Sequence, residues 1–242
     1  MRYLLILVVF VSACAPTYVP NVRNVPLFAE RGEFQGTVYV TTGIEAQLAY
    51  AVSDNVALIG NYSRLNEKNS GQGFTRENNY YEGGLGYFEN TRSRRFELFA
   101  GYGIGSGTGL GQYNFFFSKG FGQQELVTDY KYSRIFLQPS IGTNNRKFNI
   151  AFTTRFSMVD FSEFTASTAT IAATTVKPTE NPHLFIEPAL TGKFPLVGNL
   201  NGVFQLGLNV ALPSDVYFTS VPVQAALGIQ LHVGDRLRTR VY

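Results

Sequence analysis

Apolar and polar side chains alternate from about residue 33 onward, in segments of roughly ten residues that turn-forming residues separate. In the second segment, Ile44 and Leu48 share one face, and Glu45 and Gln47 share the other. Successive side chains of a β-strand point to opposite faces, so this period of two predicts strands. Segments of this length are typical of strands that cross a membrane in a barrel.

The alternation predicts one all-β domain with about ten strands, within a range of roughly eight to twelve, that close into an antiparallel transmembrane β-barrel. A soluble β-sandwich also alternates apolar and polar residues, so the alternation alone leaves that fold open. The predicted strands lie at residues 33–42, 43–52, 55–65, 79–89, 95–106, 129–142, 147–162, 183–196, 200–212 and 221–233.

The connections between these strands alternate in length, which favours a membrane barrel. Outer-membrane barrels have short periplasmic turns and long extracellular loops, so both ends of the barrel domain are expected in the periplasm. Short turns fall at 53–55, 90–94, 143–146 and 198–199, and long polar stretches at 66–78, 107–128 and 163–182. Thr42-Gly43 is an exception, because a long loop is expected there. Pro139 and Pro188 lie inside predicted strands, where each needs a bulge or a place outside the hydrocarbon band.

A different pattern begins the chain. Met1-Arg2 and the apolar run from Leu4 to Val11 are typical of a secretory signal, and the run is too short to span a bilayer. Val11-Ser12-Ala13-Cys14 resembles the lipobox of bacterial lipoproteins. This resemblance implies a signal peptide at 1–13, a covalent lipid on Cys14 and, with no Asp following it, sorting to the outer membrane. An ordinary signal peptide beside an unrelated cysteine is the alternative.

Two further segments flank the barrel domain at 33–234. Residues 14–32 hold three prolines and no periodicity, which predicts a lipidated, extended tether along the periplasmic face. Residues 235–242 form a basic periplasmic tail with Arg236, Arg238 and Arg240. These arginines are expected either to extend toward the lipid surface or to dock a protein.

Composition agrees with a sheet that has one face in lipid. Charged residues make up 15% of the 242 residues, against roughly 25% in soluble domains. A net charge of +3 without a dense basic block argues against a nucleic-acid partner. The chain has no Trp and 14 Tyr, so tyrosines must form the interfacial belts. Those near predicted strand ends are Tyr50, Tyr62, Tyr80, Tyr87, Tyr102 and Tyr132.

The strand–turn–strand from Gln47 to Leu58 and the closing strand from Ala225 to Val233 resemble those of small outer-membrane barrels like OmpA and OmpX. The similarity is to the lipid-tethered versions common in the Bacteroidetes group, and it covers residues 33–233. It implies a location in the bacterial outer membrane, with outer-membrane lipid as a partner. The chain departs from full-length OmpA in lacking a separate peptidoglycan-binding domain, so no particular function is carried over.

The same alternation points six charged residues into the barrel. Buried charges need partners, so we expect a paired, hydrogen-bonded network that closes the interior. A narrow path for ions or small solutes, lined by the same charges, is the alternative. The six residues are Glu45, Glu82, Glu97, Arg155, Glu187 and Lys193.

Candidate chemistry is sparse. Neither Cys-x-x-Cys nor clustered histidines occur, so no metal site is predicted, and the lipid on Cys14 is the only attached group expected. His183 could approach Ser162, Glu163 and Ser167 in an arrangement that resembles a lipid-acyl hydrolase site. A lone histidine at a strand end is ordinarily an interfacial polar residue, and no catalytic residue is predicted.

One predicted loop carries an apolar triplet, Phe115-Phe116-Phe117. It is expected to pack over the barrel mouth or to contact a partner. Together these features predict a non-enzymatic outer-membrane barrel lipoprotein with a structural or interaction role. It would act as an accessory subunit that contacts other outer-membrane or periplasmic proteins. A narrow channel and an outer-leaflet lipid-modifying enzyme with His183 as base are the alternatives.

Overall fold

The structure is a computed structural model that describes residues 18–69, 74–113, 124–145, 147–168, 174–176, 182–212 and 221–234. Within these ranges, no helix has the length and apolar character needed to cross a membrane.

One sheet contains all twelve strands of the described residues. The strands are β1 (Phe34–Val40), β2 (Gly43–Ala51), β3 (Val56–Asn69), β4 (Phe74–Asn90), β5 (Arg94–Tyr113), β6 (Gln124–Thr143), β7 (Asn149–Thr168), β8 (Thr174–Val176), β9 (His183–Pro195), β10 (Leu200–Leu208), β11 (Val210–Ala211) and β12 (Val223–Val233).

Ten of these strands close into an antiparallel barrel. Each pairs with its neighbour along the chain, β7 pairs with β9, and β1 pairs with both β2 and β12, which completes the ring. The short strand β8 adds to β7, and β11 continues the pairing of β10 along β9. The predicted fold class is therefore confirmed, and each predicted strand has a counterpart.

The barrel has two different ends. One end, here called the inner end, has the short connections 52–55, 91–93, 144–148 and 196–199, the start of β1 and the end of β12. At the outer end, β5, β6 and β7 reach 20 residues each, whereas β1 and β2 have 7 and 9. The wall is therefore tall at β4–β7 and low at β1–β2.

The low rim depends on one glycine. Thr41 and Thr42 form the turn between β1 and β2, as short as the sequence indicates. A Cβ atom at Gly43 would collide with the backbone carbonyl of Arg64 on β3. A side chain at this position would therefore push β2 and β3 apart.

The outward face is an apolar belt around the whole barrel. Leu48, Leu85, Ile135 and Phe152 are each more than half exposed, and Leu227 is 70% exposed. Exposure of so much contiguous apolar surface is unfavourable in water and suits lipid. The belt and the closed ring exclude the soluble sandwich.

One prediction about the belt is corrected. Tyr80 and Tyr132 are buried inside the barrel, because their strands present them on the inward face beside other aromatic rings. The ladder between β6 and β7 is interrupted near Pro139. Pro188 pairs with Thr154 on β7, but the ladder of β9 with β10 and β11 is interrupted at Pro188. Both interruptions fit a residue that has no N–H group to donate to the ladder.

The interior contains a stretch of chain that the sequence places elsewhere. Residues 18–30, here called the lumen segment, run through the barrel without forming a strand, and Tyr18, Arg23 and Phe28 are fully buried. Eight strands make a barrel just wide enough for wall side chains to fill. Ten strands leave a wider axial space, which the lumen segment occupies instead of lying along the periplasmic face.

Candidate functional site

The lumen segment crosses the barrel in a defined direction. Tyr18 stacks on Phe185 near the outer end of β9, with ring centroids 4.5 Å apart. Near the inner end, Asn90 donates a hydrogen bond to the carbonyl of Ala29 over 3.1 Å. The segment therefore runs from the outer end to the inner end before the chain turns into β1.

Wall side chains pair with the backbone of the segment at its centre. The amide of Val22 donates to Glu45 over 2.7 Å, and Gln47 donates to the carbonyl of Val22 over 2.8 Å. From β10, Gln205 accepts from the amide of Arg23 at 2.8 Å and donates to its carbonyl at 2.9 Å. These side chains replace the partner strand that an extended backbone otherwise requires.

The next part of the segment is held mainly through its carbonyls. Gln138 donates to the carbonyl of Asn24 over 2.7 Å, and Lys193 donates to that of Pro26 over 2.8 Å. Arg95 donates to the carbonyl of Leu27. Pro26 has no amide hydrogen, so its carbonyl is the one backbone group that needs a hydrogen-bond partner at this position, and Lys193 provides it.

Leu27 shows how closely the wall shapes this segment. Its φ angle is 58°, in the left-handed region that a residue with a Cβ rarely adopts. A Cβ at Gly142 would lie 2.7 Å from the Leu27 side chain, so this glycine makes room for it. Such a conformation persists only where the surroundings impose it.

A buried cluster of charges joins the segment to the wall in the outer half. Arg134 forms an ion pair with Glu82, and it donates to the hydroxyl of Tyr18 over 2.6 Å. That hydroxyl donates to Glu187 over 2.8 Å. Asn21 accepts hydrogen bonds from both Arg134 and Arg155. Tyr18 and Asn21 thus complete a network that the wall alone leaves open.

Weaker ion pairs extend this cluster. Arg155 lies 3.6 Å from Glu82, and Arg23 lies 3.7 Å from Glu187. All four side chains are inaccessible to solvent. Charges in such surroundings persist only when they are compensated, so the segment's Arg23 contributes to the balance of the wall.

Aromatic packing closes both ends of the occupied lumen. The outer cluster contains Tyr18, Tyr80, Tyr130, Tyr132, Phe161 and Phe185. The inner cluster contains Phe28, Ala49, Ala51, Ala57, Ile59, Phe88, Phe99 and Phe136. Each cluster takes one aromatic residue from the segment, so the segment is anchored at two levels.

A titratable pair lies at the inner end, outside the spanning part of β1. Glu33, just before β1, lies 3.5 Å from His232 and accepts a hydrogen bond from the amide of Ala29. Burial alone would raise the pKa of Glu33, but the hydrogen bond and charge of His232, together with the Ala29 amide, hold that pKa below its usual value.

All six charged residues predicted to face inward are buried in the described barrel. They do not form one network. Glu82, Arg155 and Glu187 join the cluster at Tyr18, and Glu45 binds the backbone of Val22. The remaining two hold the inner half of the lumen segment, Glu97 through the amide of Phe28 and Lys193 through the carbonyl of Pro26.

Sequence reasoning missed several residues of the site. Arg134 and Gln138 on β6 occupy inward positions, and the alternation along that strand could have found both. Arg23 and Asn21 had no such signal, because the lumen segment has no periodicity. Cys14, Phe115, Phe116, Phe117 and the basic tail lie outside the described residues.

The described members of the hydrolase alternative lie in different surroundings, and the Ser167 side chain is outside the described part of the structure. His183 is buried and its ring contacts Phe161. Ser162 and Glu163 are exposed and both contact Lys131 instead, through its carbonyl and its ammonium group. In the described ranges, no cluster of three or more metal-ligating side chains is present.

The chain matches no protein family and no curated protein. It is similar to the outer membrane protease OmpT of Escherichia coli, at 10% identity and a TM-score of 0.55 over 84% of this chain and 94% of that one. It is also similar to the translocator domain of the autotransporter NalP of Neisseria meningitidis, at 13% identity and a TM-score of 0.46, over 84% and 76%. A porin, KdgM, aligns at 10% identity with a TM-score of 0.35, over 82% and 98%.

The chain therefore has the fold of the bacterial outer-membrane β-barrels, and its resemblance to small barrels of this class is confirmed at the level of fold. The same finding corrects the prediction that the chain is not an enzyme. A protease shares this fold, so the barrel does not separate enzymes from other proteins. At 10% identity the likeness concerns architecture alone and transfers no active site.

Proposed function

We propose that this protein is a lipid-anchored barrel of the bacterial outer membrane, closed by its own N-terminal segment, that acts as a structural or interaction component of an outer-membrane assembly. The observation that carries the proposal is the lumen segment. Its backbone forms hydrogen bonds with the wall side chains of Glu45, Gln47 and Gln205. Wall groups engaged in this way are not free to bind a passing solute. The surfaces of the barrel are then the places where it meets other molecules.

The tall outer wall offers such a surface. Between β4, β5, β6 and β7 lies a polar groove of about 250 Å³. Glu77, Asp129, Lys131 and Glu163 line it and contribute charges of both signs. A mixed, exposed groove above the lipid suits a protein partner that pairs charges across the contact.

Purification from mildly solubilised outer membranes tests this role. We expect a stoichiometric partner to accompany the wild-type protein and to be lost with Lys131→Glu. A matched charge reversal at the opposite end, Arg92→Glu, should retain it. A protein that elutes alone after cross-linking, with or without these changes, would contradict the interaction role.

A gated narrow channel is the second candidate. The polar and charged wall behind the lumen segment favours it, since these side chains would line a water-filled path if the segment moved out. Planar-bilayer recordings separate the two functions. The sealed barrel should stay silent even when Gln47→Ala and Gln205→Ala weaken its hold on residues 22 and 23, whereas a gated channel should open more often in that double variant.

A further inference from the structure

The inner end of the lumen segment lies at the inner limit of the apolar belt. Phe28 belongs to the buried cluster that includes Ala51, the last residue of β2, and Ala57, the second residue of β3. Its amide donates to Glu97, near the start of β5. These neighbours all come within a few residues of the short turns.

Tyr18, at the other end, lies at the outer limit of the belt. Its carbonyl accepts a hydrogen bond from the amide of Val221, just before β12 begins, over 3.4 Å. Its ring stacks on Phe185, whose neighbour Leu184 is the outermost apolar residue that β9 points outward. The segment therefore spans the full thickness of the belt.

The length of chain before Tyr18 limits where it can go. Cys14 precedes Tyr18 by four residues, which reach at most about 14 Å when fully extended. The apolar band of an outer-membrane barrel is about 25 Å tall. Four residues are too few to return to the inner boundary, and the lumen below is filled.

The low rim offers a route from the barrel mouth to lipid. β12, next to the Tyr18 carbonyl, pairs with β1, which ends at Val40. Val40 is 67% exposed and Ile44, across the turn, is 60% exposed, so the apolar belt reaches the top of this hairpin. Within the described residues, β12, β1 and β2 end without the tall extension that β5, β6 and β7 have on the other side of the mouth.

We propose that the chain enters the barrel through its outer mouth, so that the processed N-terminus stands at the cell surface and its lipid inserts into the outer leaflet. This placement rests on the proposed lipid anchor for its second half. It replaces the periplasmic N-terminus expected from the sequence. The lumen segment then connects the outer-leaflet lipid, through the barrel interior, to the inner end of the barrel.

Single-cysteine labelling in intact cells tests the direction. The chain carries Cys14→Ala with a replacement signal peptide, and one cysteine is introduced as Thr17→Cys or, for the inner turn, as Asn199→Cys. A membrane-impermeant maleimide should label residue 17 in intact cells and residue 199 only after the outer membrane is permeabilised. Labelling of residue 17 only after permeabilisation would overturn the proposal.

Epitope accessibility on intact cells provides a second test of the direction, and heat-dependent gel mobility shows whether each variant is folded. An epitope placed between Pro16 and Thr17 of the lipidated chain should bind antibody on intact cells, and one placed in the inner turn at Gly198 should not. The tagged proteins are compared for heat-dependent gel mobility, so that only folded barrels are scored. Protection of the first epitope in a folded barrel would also overturn the proposal.

Fatty-acid labelling of the wild-type chain and of Cys14→Ala addresses the anchor separately. An acylated wild type with a surface N-terminus supports both halves of the proposal. A surface N-terminus without acylation removes the lipid anchor and the outer-leaflet insertion but leaves the direction established. An acylated protein with a periplasmic N-terminus leaves the anchor and refutes the direction.

Discussion

Glu82 is the carboxylate on which the buried arginines of the lumen converge. It forms an ion pair with Arg134, lies 3.6 Å from Arg155, and accepts hydrogen bonds from Asn61 at 2.6 Å and from Tyr80 at 2.8 Å. Glu82→Gln keeps the shape of the side chain and removes only its charge. Both arginines then face each other with less compensation, in a part of the barrel that water does not reach.

The expected loss follows from the burial of these groups. Breaking a buried ion pair by removing one partner costs about 3 to 5 kcal/mol, because the remaining charge stays buried. That is roughly 10² to 4 × 10³ in the folding equilibrium constant. Glu163→Gln is the matched control, since its pair with Lys131 is more than half exposed and contributes less than about 1 kcal/mol.

Urea titration of the two variants in lipid vesicles, read by heat-dependent gel mobility, measures both effects. We expect Glu82→Gln to shift the unfolding midpoint strongly and Glu163→Gln to leave it close to that of the wild type. Equal shifts would refute the assignment of Glu82 as the compensating charge of the lumen. A rise in stability for Glu82→Gln would refute it as well.

Two further variants probe packing and pH. Gly101→Ala should destabilise the barrel by about 1 to 3 kcal/mol in the same titration, because the added Cβ would lie 2.5 Å from Phe136, whereas Gly83→Ala meets nothing within 4 Å and should be neutral. Glu33→Gln should lower stability at neutral pH by about 1 to 3 kcal/mol. Because the pKa of Glu33 is lowered on folding, its contribution is full above its unfolded pKa of about 4.3 and disappears as pH falls through the folded pKa. A constant gap between wild type and Glu33→Gln across that range would argue against the contact with His232.

The barrel could be predicted from the sequence because its two faces lie in different surroundings. Lipid outside and polar contacts inside impose the period of two on residues such as Leu48 and Gln47. The same contrast located the six inward charges. It weakens in the outer parts of β4 to β7, where polar residues interrupt the alternation, and there the predicted loops proved to be partly strand.

The identity of the partners inside the barrel could not be predicted in the same way. Tyr80 and Tyr132 look like belt residues by type, and only their inward position distinguishes them. The pairing of Arg134 with Glu82 joins β6 to β4 across β5, a relation that no spacing along the chain encodes. Closure of the barrel sets which side chains meet in its centre.

The lumen segment escaped prediction because it is enclosed on all sides. A helix or strand at a surface has apolar side chains along one face and polar side chains along the other. Residues 18–28 are almost all buried, so they show no such periodic pattern. The sequence indicates the segment only through the wall, where inward glutamines such as Gln47, Gln138 and Gln205 have side-chain amides that can both donate and accept hydrogen bonds. A wall that carries such amides, in a barrel of about ten strands that side chains alone do not fill, calls for an extended peptide in its interior. In this chain the proline-containing stretch before β1 supplies it.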